Sequence, residues 1–138
     1  MPDTIRIEPT GGDKFQVTIR GHRLAVDQPV DDGGDDTGAT PTEMFVASLG
    51  ACVAFYARRY LARHGLPTEG FGVTVGYTMG SRPARVESMT VVVTVPAGVP
   101  EERRAGLLAV ASHCTVHNTL EMRPETSITL RDAEAVAA

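Results

Sequence analysis

A helical segment without any charge is the feature of this sequence that most constrains its fold. Between Met44 and Tyr56 no face of the predicted helix carries a charged residue, and Arg58 and Arg59 are the first to return it to solvent. A helix that is apolar on every side is expected to be buried all round. A chain of 138 residues has little other material to cover it, so the length favours a dimer.

Strong end signals delimit this helix. Thr40 suits the N-cap position and Glu43 the third helical position, a pair that predicts a capping box, and Pro41 favours the first helical position. Gly65 is expected to stop the helix just after His64. We therefore predict one helix from Thr40 to about His64.

The remaining elements are short strands and two shorter helical segments. Alternating apolar residues and turn signals predict strands at 4–8, 15–20, 22–26, 71–79, 85–95 and 126–130. Helices are predicted from about 100 to 114 and from 116 to 122. The order βββ-α-ββ-αα-β predicts an α+β fold, with antiparallel strands and with helices on one face.

One domain is predicted to span residues 1–138. Its parts are N-terminal strands at 1–26, an acidic loop at 27–39, a helix-strand-strand-helix-strand body at 40–131 and a tail at 132–138. Residues 30–39 of this loop carry four aspartates, Asp31, Asp32, Asp35 and Asp36, so this part is not expected to belong to the core.

The composition excludes several classes of function. With 13 Lys+Arg against 17 Asp+Glu, a net charge of -4 and no Trp, the chain is poorly suited to binding nucleic acid. No uncharged apolar stretch approaches the ~20 residues that span a bilayer. Met1–Glu8 lacks the basic-then-apolar layout of a signal peptide. We expect a cytoplasmic protein that binds neither nucleic acid nor a membrane.

Cys52 and Cys114 are too few for a disulfide-stapled scaffold, and each alone is typical of a buried, space-filling residue. Cys114, however, lies at the start of a short helix between His113 and His117, which predicts a lowered pKa. As a pair, the cysteines could reduce peroxides, because one thiolate can be oxidised to a sulfenic acid that a second thiol resolves as a disulfide. That chemistry requires their helices to pack together, which spacing does not determine.

Glu43 has two interpretations. It can serve only as the capping partner of Thr40, or its carboxylate can orient an arginine or take a proton beside the thiol. Nine residues separate Glu43 from Cys52, which is ~13.5 Å of helix rise and places the two on opposite faces. Glu43 could therefore serve Cys52 only from a neighbouring subunit or through an intermediate arginine.

Other chemistries find weaker support. Cys114 and His117 could share a helix face and Cys52 could add a third zinc ligand, but the paired CxxC or HxxxH spacing of structural zinc sites is missing. No glycine-rich nucleotide motif and no GxSxG pattern occurs. Neither a metal nor a bound cofactor is predicted.

Two segments carry a resemblance to a known family. Residues 37–52, TGATPTEMFVASLGAC, resemble the N/T-P-x-E-L-x-x-A-x-x-x-C helix of the OsmC/Ohr family of thiol-dependent peroxidases. Residues 113–120, HCTVHNTL, resemble the second cysteine segment of that family, usually written C-P-x-x-N/H-T. The chain is most similar to the broader OsmC-like group rather than to the strict organic hydroperoxide resistance branch.

The resemblance implies an OsmC-like fold, with antiparallel sheets packed on two long central helices in an intertwined homodimer. It implies reduction of organic hydroperoxides in an oxidative stress response, with Cys52 as the peroxidatic thiolate and Cys114 as the resolving thiol. By the same comparison, Glu43 positions an active-site arginine. The reductant would be a dithiol such as a lipoylated protein, and no bound cofactor is needed.

The chain departs from the family pattern at three places. The arginine expected after Gly11-Gly12 is missing, and Arg23, or failing that Arg20, is the substitute we predict. The interval from Glu43 to the first cysteine is one residue shorter, and Thr115 replaces the usual proline. These departures keep an alternative open, namely a non-catalytic OsmC-like domain that binds an apolar small molecule in the same pocket.

Overall fold

Two antiparallel sheets and three α-helices make up residues 3–134, the part of the chain that the computed structural model describes. The elements in chain order are β1 (Arg6–Gly11), β2 (Lys14–Ile19), β3 (His22–Val26), α1 (Pro41–Arg63), β4 (Gly72–Gly80), β5 (Arg85–Thr94), α2 (Arg104–Ala111) and α3 (Thr115–Glu121). Short 3-10 turns precede α1 and α2, at Val30–Asp32 and Glu101–Arg103. The predicted α+β class is confirmed.

The N-terminal sheet has the strand order β1-β2-β3 and a single apolar face. Its register pairs Ile7 with Val17, Val17 with Leu24, and Phe15 with Val26, so these five side chains share that face. Ile7 is 56% exposed and Leu24 43%. The main hydrophobic core contains no residue of this sheet. The described chain therefore buries Val17 and Val26 of this face and leaves the rest of it exposed.

Helix α1 begins and ends where its local signals predict. The Thr40 hydroxyl accepts the Glu43 N–H at 3.1 Å, and Glu43 Oε1 accepts the Thr40 N–H at 2.9 Å, which completes the capping box. His64 is the C-cap, and Gly65 follows with a positive φ of 64°. No helix among residues 3–134 is long and apolar enough to cross a membrane.

The expectation that the charge-free half of α1 is buried on all sides is wrong for the single chain. One face is buried, at Val46, Leu49 and Val53, whereas Phe45 is 43% and Phe55 58% exposed. The reason is topological, because β4, β5, α2 and α3 pack on α1 and together cover only one side of it.

The core lies between α1 and the β4–β5 hairpin and is closed by α2 and α3. It comprises Leu49, Val53, Ala57, Leu61, Leu107, Ala111 and Cys114. Strand β4 approaches α1 closely at Gly50, where a Cβ atom would meet Val75 Cγ2 at 2.7 Å. The absence of a side chain at Gly50 therefore lets the strand pack closely against α1.

Two predicted elements differ from the structure. The second helix, predicted from 100 to 114, is a 3-10 turn followed by the eight residues of α2, so residues 3–134 contain one long helix and not two. The strand predicted at 126–130 is unpaired within residues 3–134. Ile128 there is 91% exposed and Leu130 fully exposed. A strand requires a neighbouring edge, which an alternating pattern cannot supply. Part of the predicted tail, residues 135–138, lies outside the described residues.

The acidic loop is organised around Asp27, which is completely buried. Its carboxylate accepts the N–H groups of Gln28 (2.8 Å), Asp35 (3.2 Å) and Thr37 (3.0 Å), and the Thr37 hydroxyl at 2.7 Å. These hydrogen bonds, those from Thr37 foremost, lower the pKa of Asp27 to about 2 although burial opposes them. The loop is therefore held by one carboxylate.

We predict that Asp27 contributes to the acid sensitivity of the fold. Its pKa is about 2 in the folded chain against an ordinary value of 3.8, so its stabilisation is complete above about pH 5 and is lost as the pH falls toward 2. Asp27→Asn is expected to lower the Tm by several degrees at pH 7 and to flatten its decline below pH 4. Thermal unfolding monitored by circular dichroism between pH 2 and pH 7 measures both effects.

The matched control is Asp32→Asn, which removes an exposed carboxylate from the same loop and is expected to leave the Tm nearly unchanged. Equal effects of the two substitutions would contradict the anchoring role of Asp27.

Candidate active site

Cys52 lies midway along α1 and is half-buried. Its Sγ accepts the backbone N–H of Val116, with an N···S distance of 3.5 Å. Val116 belongs to the first turn of α3, so this contact joins two elements that are 64 positions apart in the sequence. A backbone N–H that donates to sulfur stabilises the thiolate form relative to the thiol.

Cys114 is the N-cap residue of α3 and is completely buried in the core. Its Sγ accepts the backbone N–H of His117, with an N···S distance of 3.4 Å. The two sulfurs therefore accept consecutive backbone N–H groups of one helical turn. The requirement that the sequence left open, packing of the two cysteine-bearing segments against each other, is met in the folded chain.

The pKa of Cys114 is raised, contrary to the lowered value that its position predicted. Burial is the largest cause, and the neighbouring Cys52 thiol raises the pKa further, whereas the N–H groups of His117 and Val116 oppose the rise. The flanking histidines do not reach the sulfur. His113 Nδ1 donates to the Ala109 carbonyl at 2.6 Å, and the His117 ring contacts Ser112 and Glu121.

A hydrogen bond between two hydroxyl groups also joins the two cysteine-bearing segments. The Tyr56 hydroxyl and the Thr115 Oγ1 lie 2.9 Å apart. Tyr56 follows Cys52 by one helical turn, and Thr115 directly follows Cys114. The hydrogen bond therefore connects the residue beside one thiol to the residue beside the other.

An apolar cavity of about 300 Å³ lies between α1, β5, α2 and α3. Helix α1 contributes Leu49 and Val53 to its wall, and α3 contributes His117 and Glu121. Neither cysteine lines it. No group of three His, Cys, Asp or Glu side chains within residues 3–134 is arranged to hold a metal ion, so the alternative zinc site has no ligand set there.

Glu43 lies at the exposed N-terminal end of α1, where Oε1 is used in the capping box. Its other oxygen, Oε2, has no hydrogen-bond partner among residues 3–134. The structure thus places Glu43 away from Cys52 within one chain, as the helix geometry predicted. Its capping role is observed, and a second role beside the thiol stays a prediction.

Comparison with known proteins identifies the family. The family model described as OsmC-like protein matches residues 33–130, well over half of the chain. The chain belongs to the OsmC-like protein family. The resemblance carried by the two cysteine segments is therefore confirmed at the level of the family.

Solved structures share this OsmC-like fold at low sequence identity. An OsmC-like protein from Mycoplasma pneumoniae is 14% identical with a TM-score of 0.74, and the match covers 88% of each chain. An organic hydroperoxide resistance protein from Elizabethkingia anophelis is 23% identical with a TM-score of 0.65, over 89% of this chain and 91% of that one. One from Legionella pneumophila is 20% identical with a TM-score of 0.58, over 85% and 88%. No curated protein sequence matches the chain.

The structure of this OsmC-like chain does not place the predicted arginine in hydrogen-bond contact with the thiols. Arg23 lies on the edge strand β3 opposite Thr18, on the polar face of the N-terminal sheet. Arg20 lies in the turn before β3 with a φ of 54°. Within residues 3–134, no Arg or Lys side chain hydrogen-bonds to either sulfur. The assignment of Arg23 to the site stays a prediction.

Two contacts of the OsmC-like site, the hydrogen bond of the Tyr56 hydroxyl and the Val116 N–H bond to Cys52, were not predicted from the sequence. The one-turn spacing from Cys52 to Tyr56 places both on one side of α1, a signal that could have drawn attention to the phenol. Nothing in the sequence could have indicated the backbone N–H of Val116, because its contact with Cys52 depends on how α3 docks.

We predict that the two thiols differ strongly in reactivity toward an alkylating agent. Iodoacetamide reacts with thiolates, so at pH 7.5 it is expected to label the half-buried Cys52 many times faster than the buried Cys114, whose pKa is raised. Peptide mass spectrometry at timed intervals measures the two rates. In urea-denatured protein the rates are expected to converge, and faster labelling of native Cys114 would contradict this assignment.

Proposed function

We propose that this OsmC-like protein is a thiol-dependent peroxidase that reduces organic hydroperoxides to alcohols. The observation that carries the proposal is the thiol pair itself. A half-buried Cys52 and a fully buried Cys114 accept consecutive N–H groups of α3, at 3.5 and 3.4 Å. Such a pair suits one thiol that meets a peroxide and a second thiol that resolves the oxidised product.

The exposure of the two thiols and the raised pKa of Cys114 favour Cys52 as the peroxidatic residue. Cys52 is the more exposed of the two residues, and its sulfur accepts the Val116 N–H. Cys114 is enclosed by core residues, and burial raises its pKa, so it is a poor first nucleophile. A protonated, buried thiol beside Cys52 is suited to the second step.

The proposed cycle has three steps. The Cys52 thiolate attacks the distal peroxide oxygen, the O–O bond breaks, and the alkoxide takes a proton to leave as the alcohol while Cys52 becomes a sulfenic acid. The Cys114 sulfur then attacks the Cys52 sulfur, the S–S bond forms, and the hydroxyl leaves as water with the Cys114 proton. Finally an external dithiol, for example on a lipoylated protein, exchanges with the disulfide, restores both thiols and is itself oxidised.

This cycle places no bound cofactor between peroxide and protein, since the electrons come from the two thiols and then from the dithiol. A cytoplasmic location is part of the proposal, because its reducing conditions keep the thiols ready for the next peroxide. An oxidative stress response is the physiological setting in which such a reaction would matter.

A second candidate function rests on the apolar cavity. A space of about 300 Å³ walled by α1, β5, α2 and α3 could hold an apolar small molecule without any chemistry at the thiols. The missing contact between a cation and Cys52 within the described chain is compatible with this alternative. The two candidates differ in one measurable property, the catalytic consumption of peroxide.

We predict that purified protein consumes tert-butyl hydroperoxide in the presence of a dithiol such as dihydrolipoamide, and that Cys52→Ser reduces the rate to the background without protein. Cys114→Ser is expected to react once and to hold Cys52 as a sulfenic acid, which dimedone traps for detection by mass spectrometry. If wild type and Cys52→Ser consume peroxide equally, the peroxidase proposal is wrong and ligand binding becomes the better candidate.

The proposal includes a homodimer, which is supported by apolar surface that one chain leaves open. The N-terminal sheet contributes no residue to the main core, although its apolar face exposes Ile7 and Leu24. The opposite side of α1 exposes Phe45 and Phe55. Large exposed apolar patches mark interaction surfaces, so a second copy that covers these residues would explain their composition.

The dimer also offers a source for the missing cation. In this proposal Arg23 of the partner subunit extends over the edge of its sheet toward Cys52, and a Glu43 carboxylate orients the guanidinium through its free Oε2. A cation near the sulfur favours the thiolate. The active site would then be shared between subunits, and neither chain alone would be complete.

We predict that two inactive variants complement each other when they are co-refolded. Arg23→Gln and Cys52→Ser each lose activity, but half of the randomly paired dimers contain one intact shared site, so about a quarter of the wild-type rate is expected. Sedimentation velocity verifies the dimer, and Arg20→Gln is tested in parallel as the other candidate. A mixture no more active than its parents would contradict a site shared through Arg23.

A further inference from the structure

The hydrogen bond between Tyr56 and Thr115 joins residues that are close to the two thiols in the sequence. The two oxygens lie 2.9 Å apart. Tyr56 is one turn beyond Cys52 on α1, and Thr115 is the first residue of α3, directly after Cys114. Within residues 3–134, this is the hydrogen bond between two side-chain oxygens that joins α1 to α3.

Apolar packing of Cys114 and Val116 holds this end of α3 against the core, and the polar contacts beside it are few. Helix α3 has seven residues, too few to be stable by itself. The N–H contacts to Cys52 and Cys114 involve sulfur, which is a weak acceptor when it is protonated. The Tyr56–Thr115 hydrogen bond is solvent-exposed, and it adds an oxygen-to-oxygen contact between the first turn of α3 and α1 to the Val116 N–H contact with the Cys52 sulfur.

A threonine at position 115 makes this contact possible. Proline, the residue that the family pattern has there, would restrict the backbone at the helix start but carries no hydroxyl. In this chain, a side-chain hydrogen bond across to α1 takes the place of that backbone restraint. The Tyr56 ring is half-buried against the core. It also packs edge-on against the Phe55 ring, with 5.5 Å between the ring centroids, and these contacts hold its hydroxyl in place.

We propose that Tyr56 and Thr115 are positioning residues that keep Cys114 within reach of Cys52 and so set the rate and the equilibrium of disulfide formation. The inference rests on the proposed function, because it assigns these residues to the second step of that cycle. In that step the Cys114 sulfur must approach the Cys52 sulfur as the S–S bond forms and water leaves. Holding the first turn of α3 against α1 raises the effective concentration of one thiol near the other.

Tyr56→Phe and Thr115→Val test the inference, since each removes a hydroxyl and keeps the shape of the side chain. Each is expected to weaken the Cys52–Cys114 disulfide about five-fold in a glutathione redox buffer, the effect of losing one ordinary hydrogen bond. That change corresponds to a reduction potential about 20 mV less negative. The double variant is expected to shift no further than either single variant, because both substitutions remove the same bond.

Kinetics separates positioning from a general loss of structure. After one equivalent of tert-butyl hydroperoxide, both variants are expected to form the Cys52 sulfenic acid at the wild-type rate and to convert it to disulfide about five-fold more slowly. The matched control is Tyr60→Phe, one turn further along α1, whose hydroxyl donates to the Arg103 carbonyl at 3.4 Å. It is expected to leave both the potential and the conversion rate unchanged.

The outcomes distinguish this inference from the proposed function. Wild-type potentials and conversion rates in both variants, or an equal shift in Tyr60→Phe, would overturn the positioning role while leaving the peroxidase proposal intact. A protein that consumes no peroxide but whose disulfide weakens in both variants would overturn the peroxidase proposal and support the positioning role. A wild-type disulfide that does not form in the glutathione buffer would overturn the positioning role.

Discussion

The contact between α1 and the first turn of α3 is the constraint on which the proposed chemistry depends. It encloses Cys114 in the core, places Cys52 beside it, and directs the Val116 N–H at the Cys52 sulfur, next to the His117 N–H that caps α3 at Cys114. The raised pKa of Cys114 follows from the same enclosure. If α3 were displaced, the chain would retain two ordinary thiols that could not resolve each other.

Function and assembly are linked through α1. One side of this helix forms the core with β4, β5, α2 and α3, and the other side exposes Phe45 and Phe55 in the single chain. Cys52 lies between these sides and is half-buried. A partner that covered the open side would therefore also determine which groups reach the peroxidatic sulfur, which is why the proposed dimer and the proposed site belong together.

Sequence reasoning succeeded where local chemistry decides the structure. The capping box at Thr40 and Glu43 and the stop at Gly65 depend on neighbouring residues, and α1 begins and ends as they predict. The β3 strand is found at its predicted bounds because the adjacent strand β2 supplies the edge with which it pairs. The strand predicted at 126–130 is not formed within the described chain, because pairing needs an edge that local alternation cannot provide.

The sequence by itself determined the family, the boundaries of α1 and the identity of the two thiols, because these depend on residue types at short spacing. Only the tertiary structure decided that the thiols are neighbours, that burial raises the pKa of Cys114, and that Asp27 anchors the acidic loop. The physical reason is the same in each case. Desolvation and hydrogen bonding between distant segments depend on how elements pack, and packing is a property of the folded chain.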